Sequence, residues 1–289
     1  MVLYVGARVG NEIGRVKRVV LPSTFTGSPR HMRGLYQDAM TMVEKLGKPD
    51  LFITMTCNPN WPEIKSNLLP GQSPNDRNDL LAKVFRLKLD ALLEDLVHHQ
   101  RLGKPVGHIH TIEFQKRGLP HAHLLMMLAQ EDKPRNPDEY DDYISAEIPD
   151  PVIEGDLYQT ISLCNMHGPC GEDNPEAPCM KDCVCSKHFP KEFSEVTKET
   201  DGYPEYRRRQ DGRTVKKIVR VQGRRARQGE EGENEEGEDD EVEEAPEAWE
   251  ILLDNRHVVP YNRALSKKYD AHINVEYCAT IKAVKYLYK

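Results

Sequence analysis

Residues 111–128, TIEFQKRGLPHAHLLMML, leave the backbone few options. The first half alternates apolar and polar residues over five positions. A Gly-Leu-Pro turn interrupts it, and the second half alternates again before becoming wholly apolar. That pattern predicts a β-hairpin closed through residues 116–120. Side chains along a strand repeat every two residues, so His121 and His123 leave one face together, and Glu113 and Gln115 share a face on the partner strand. Two imidazoles and a carboxylate make a divalent-metal site with positions open to substrate. The expected ligands are His121, His123 and Glu113, with Gln115 as the alternative third group. The apolar run Leu124–Leu128 anchors the second strand in a core and so holds the histidines still.

Composition narrows the partners. The formal net charge of the 289 residues is −7, but 12 of the 47 acidic residues lie between Glu230 and Glu247. Without that segment 40 basic residues stand against 35 acidic ones, a mildly basic remainder that permits a nucleic-acid partner. No run of 18 apolar residues exists, so no membrane partner is expected, and MVLYVGARVG lacks the charged-then-apolar layout of a secretory signal. A reducing, intracellular location follows, and there five cysteines clustered between Cys164 and Cys185 point to zinc rather than to disulfides.

The remaining segments fit an α+β domain. Residues 1–48 read as an N-terminal segment in which LPSTFTGSPRHMRG forms a phosphate-contacting loop through Arg30, His31 and Arg33, followed by a helix from about Leu35 to Leu46. LFITMTC, bounded by Asn58-Pro59, predicts a buried central strand. Residues 76–101 carry a broad leucine-rich stripe and predict the longest helix. Strand, long helix and hairpin in that order suit an antiparallel sheet covered by helix on one face and open to a ligand on the other. Residues 131–156 are acidic and proline-bearing, a surface excursion with at most a short helix.

In residues 160–192, His167-x2-Cys170 forms one close pair, and Cys179 with Cys183 or Cys185 forms a second; two such pairs suit one tetrahedral zinc. The dense basic run that follows, including Arg207, Arg208 and Arg209, suits a single-stranded DNA backbone, with one strand expected over residues 216–222. Residues 228–247 are low-complexity and acidic, a disordered loop. Residues from about Val275 to Lys289 read as a terminal helix. There Tyr286 lies among Lys282, Lys285 and Lys289, cations that stabilise a phenolate and a neighbouring phosphate.

Several of these motifs together resemble the Rep endonuclease region of Helitron rolling-circle transposases: LFITMTCNPNWPEI, the stretch Thr111–His123, MHGPCG, CSKHFPK and NVEYCATIKAVKYLYK. Those are HUH enzymes, in which a histidine–hydrophobic–histidine pair holds a metal beside a catalytic tyrosine; Ala122 is the middle residue here. The resemblance implies an HUH Rep-like domain over residues 49–289, with an antiparallel sheet, helices on one face and a zinc-binding insertion. It implies His167, Cys170, Cys179 and Cys185 as the structural Zn2+ ligands. It further implies cleavage and rejoining of single-stranded DNA with Mg2+ or Mn2+, through attack by Tyr286 and a 5′-phosphotyrosyl intermediate, with Lys285 and Lys289 beside the nucleophile.

A nuclear location follows from that activity. Full Helitron proteins carry a helicase, whereas this sequence has no Walker A motif, and the family's second tyrosine falls one position beyond Lys289. The resemblance therefore implies one reversible cut without coupled two-strand exchange. The rival readings are a catalytically incomplete, zinc-stabilised DNA-binding remnant and a metal hydrolase that uses water.

Overall fold

The computed structural model describes residues 2–5, 8–9, 12–13, 17–20, 22, 24–115, 118–200, 203–220, 248–278 and 280–288. The expected acidic loop at 228–247 lies outside them. The architecture is mixed α+β, and every pairing between the named strands is antiparallel.

The centre is a four-stranded sheet. Its strands are β1 (Leu51–Thr56), β2 (Pro105–Phe114), β3 (Pro120–Leu128) and, returning from far along the chain, β6 (His272–Tyr277), in the spatial order β6-β1-β3-β2. A smaller ribbon pairs β4 (Val215–Arg220) with β5 (Ala248–Leu253). The hairpin β2–β3 forms where alternation predicts it. β1 occupies a central position, as its apolar, β-branched sequence requires.

Helix α2 (Asn78–Val97) covers one sheet face. Its Leu81, Phe85, Leu89, Leu92 and Leu96 recur every three or four residues and pack on Leu51, Ile53 and Met55 of β1 and on Leu124 and Met126 of β3. Each such side chain, when fully buried, contributes about 1.5–3 kcal/mol. α2 is tied to α4 (Arg263–Tyr269) through buried Asp95, which accepts from Lys268 Nζ at 2.6 Å and from the Tyr269 hydroxyl at 2.7 Å.

The opposite face departs from the expectation of helices on one side only. α1 (Pro29–Leu46) and α5 (Lys282–Tyr286) both pack there, burying Ala39, Val43, Val284 and Leu287 against Ile109, Leu125 and Met127. They cover the half of the face around Leu125 and Met127. At the other end of β3 the same face carries His121 and His123, four and two residues before Leu125.

Three boundaries differ from the sequence reading. α1 begins at Pro29 because Ser28 caps it, its hydroxyl accepting from His31 N at 3.1 Å. Arg30, His31 and Arg33 therefore stand in the first turns of a helix rather than in a loop. Residues 275–277 are strand, not helix, since β1 offers them a complete ladder from His272↔Thr56 to Tyr277↔Leu51. The excursion at 131–156 is half interior: Tyr140, Ile144, Ala146 and Ile148 are buried, the last against α3 (Gly155–Cys164), Val258 and Tyr261. No described helix is long and apolar enough to cross a membrane.

Candidate metal centre on the open sheet face

Register builds the site. One row across the sheet runs His272, Thr56, His121, Glu113; the next runs Asn274, Thr54, His123, Thr111. Residues directly opposite in adjacent strands share a face, so these eight side chains form one polar floor.

On that floor Glu113 Oε2 lies 3.3 Å from His121 Nε2 and 4.0 Å from His123 Nε2. The imidazoles meet edge to face, with centroids 4.7 Å apart and planes at 77°. One ligand atom from each of the three residues lies within 4.8 Å of the others. Gln115, the alternative third group, lies just past β2 and is exposed.

His123 is 7% exposed. Burial lowers its pKa below the ordinary histidine value, and neighbouring His121 adds to the effect, while Glu113 opposes it. A neutral imidazole, another imidazole and a half-exposed carboxylate are chemically suited to a divalent cation, so the residues fit the group the sequence called for. The floor also contains three buried polar atoms without a hydrogen-bond partner among the described residues: Thr111 Oγ1, His121 Nδ1 and Asn274 Oδ1.

A second cluster fits a thiophilic ion. His167, Cys170, Cys179 and Cys185 bring one ligand atom each to within 4.8 Å of one another, with Cys185 Sγ 3.3 Å from His167 Nε2. Burial pushes His167 down to about 4, keeping its ring neutral. Burial, reinforced by the Cys179 and Cys185 thiols, pushes Cys170 up to about 12. Burial also raises Cys185, but the amides of Phe189 and Lys187 and the adjacent thiols outweigh it and bring that thiol below its ordinary value. Four thiol or imidazole donors at this separation suit tetrahedral zinc.

A turn places Cys185 in this group and leaves Cys183 outside it. Residues 180–181 pair with 184–185, and Asp182 and Cys183 between them have φ of 50° and 62°, the two left-handed residues of a type I′ turn. Cys183 sits exposed at the tip, and Cys185 returns beside Cys179.

The segment expected to carry the tyrosine nucleophile joins the same face as the histidines. α5 contains Tyr286 and follows β6 closely, and Val284 and Leu287 seat it on the apolar half of that face. Lys285 is exposed; the Tyr286 side chain and Lys289 lie outside the described residues. Tyr288 packs edge to face on Tyr36, with centroids 6.3 Å apart, and burial raises its pKa.

Among the expected DNA contacts, Arg30 and Arg33 are exposed and His31 is half-buried. Arg208 requires correction: it is buried, and its guanidinium donates to the carbonyls of Asn255 and Val258 at 2.7 Å and of Ala146 at 3.3 Å. Its neighbours are also engaged, Arg209 in a bidentate pair with Glu147 and Arg207 with Asp141 at 2.9 Å. A run of like charges does not reveal which member turns inward. A cavity of about 280 Å³ lined by Arg207 and Arg209 together with Glu147, Asp141, Asp150 and Glu154 lies among ion pairs rather than at either metal cluster.

Sequence reasoning missed Thr54, Thr56, Thr111, His272 and Asn274 as members of the floor. Their only signal is alternation within strands whose neighbours were unknown.

The family model described as Helitron helicase-like domain at N-terminus matches residues 8–126, a stretch that contains β1, α2, β2 and all three residues of the Glu113–His121–His123 group. The chain is Helitron-related. A comparison with curated proteins gave no match. The thiol–imidazole cluster and α5 of this Helitron-related chain fall beyond the matched stretch.

Proposed function

We propose that the chain nicks and rejoins single-stranded DNA through a covalent tyrosine intermediate, in the manner of Helitron-type rolling-circle transposition. The observation that carries this reading is the Glu113–His121–His123 group at the open end of a sheet face whose other end seats the Tyr286 helix. A divalent cation bound there supplies Lewis-acid polarisation of the scissile phosphate. Mg2+ or Mn2+ suits a site with a carboxylate and open positions.

The protein's own residues do the rest. His121 and His123 are the imidazole donors, and Glu113 adds the single negative charge. Tyr286 Oη attacks phosphorus, the bond from phosphorus to the 3′-oxygen breaks, and the phenol's proton is transferred, in net terms, to that departing oxygen. The products are a 5′-phosphotyrosyl link and a free 3′-hydroxyl. No water is consumed, so the reverse attack by a 3′-hydroxyl rejoins the strand. Lys285 offsets charge near the phosphate, Arg30 and Arg33 hold the DNA backbone, and the zinc cluster stabilises the insertion.

The test is a denaturing gel with labelled single-stranded DNA and Mn2+. A covalent protein–DNA adduct that disappears in Tyr286→Phe is expected. Nicked DNA without adduct would instead support a water-using hydrolase, and intact DNA with retained binding would support a non-catalytic DNA-binding remnant.

A further inference from the structure

We infer that Thr54 is a positioning residue that presets His123 as a metal ligand, an inference that rests on the metal-dependent reading above. Thr54 Oγ1 lies 2.9 Å from His123 Nδ1, and both side chains are buried. A neutral imidazole carries one N–H and one lone pair, and only the nitrogen with the lone pair can bind a cation. Nε2 is the atom directed toward Glu113, at 4.0 Å from its Oε2. The proton must therefore reside on Nδ1, where a buried N–H needs an acceptor. Thr54 supplies it. Phe52, two residues earlier on β1, stacks on the same ring at 5.5 Å between centroids with an interplanar angle of 18°, which opposes rotation of the ring out of that hydrogen bond.

His121 provides the contrast. Its Nδ1 is buried without a hydrogen-bond partner among the described residues, so nothing described fixes its tautomer. β1 thus orients one of the two imidazoles, through the central-strand register Thr54↔His123, and leaves the other to adapt to the cation. Partners of this kind, which hold a ligand's second nitrogen, typically influence metal affinity about 10–100-fold.

The experiment measures Mn2+ affinity by calorimetry in Thr54→Val, which keeps the branched shape suited to a strand but removes the acceptor. Thr54→Ser keeps the hydroxyl. The expected result is a loss of about 10–100-fold in Thr54→Val, recovery to within about threefold of the parent in Thr54→Ser, and unchanged melting of the thiol–imidazole module. Two-bond nitrogen–proton NMR of the parent protein saturated with Mg2+ should show His123 protonated on Nδ1. Parent-like Mn2+ affinity in Thr54→Val, or a proton on His123 Nε2 in the Mg2+ form, would overturn the inference while leaving the metal site intact. Unchanged Mn2+ binding in His123→Ala would overturn the metal site itself and the inference with it.

Discussion

A proton and a cation compete for the same lone pair on His123. Burial pulls its pKa below the ordinary 6.5, so the neutral, cation-binding form persists to more acidic pH than for a free imidazole and is lost as pH falls through the depressed value. The His123 contribution to Mn2+ affinity should therefore decline with a midpoint below pH 6.5, as read by calorimetry of the parent against His123→Ala in a pH series. A decline centred above 6.5 would contradict the burial seen here. Arg208 makes the second residue-scale prediction. Its interior guanidinium satisfies three carbonyls, so Arg208→Met should leave buried acceptors unpaired and lower unfolding free energy by about 2–4 kcal/mol. Urea denaturation measures this. DNA binding at a temperature where the variant remains folded should keep the parent's salt dependence, because no phosphate contact is removed.

At the scale of an element, the hairpin at 180–185 sets the thiol geometry. Its two left-handed residues place Cys183 at the exposed tip and return Cys185 to Cys179 and His167. Freshly reduced protein should carry about one zinc per chain. Cys183→Ser should retain it and Cys185→Ser should lose it, with elemental analysis as the readout. Equal loss in both variants would show that the turn does not select the ligand. α5 is a different kind of element, five residues long and too short to be stable by itself. Val284 and Leu287 hold it to the sheet, and each is almost wholly buried.

For the whole molecule, one sheet face carries two duties. Its apolar half holds α1 and α5, and its polar half holds the Glu113–His121–His123 group, so in the proposed reaction Tyr286 reaches that group only if α5 stays docked. Leu287→Ala should weaken that docking by about 2–5 kcal/mol. Adduct formation on single-stranded DNA should then fall at least about tenfold, with Mn2+ affinity within about twofold of the parent. Loss of Mn2+ binding in the same variant would mean that the two halves of the face are not independent.

The elements set by local periodicity were legible in the chain itself. Alternation fixes the hairpin and puts His121 with His123, and the three- and four-residue spacing of Leu81, Phe85, Leu89, Leu92 and Leu96 fixes α2, because each pattern is the chain's own geometry repeated. The four-donor group of the insertion was legible as two short-spaced pairs, short of the choice between Cys183 and Cys185. What tertiary structure decided depends on partners distant in sequence. Residues 275–277 become strand because β1 supplies their ladder. Arg208 turns inward because three carbonyls from other segments await it. Thr54 meets His123 across 69 residues, and no local pattern in LFITMT indicates which strand will lie beside it. Side-chain periods determined which residues share a face; strand order determined what each face meets.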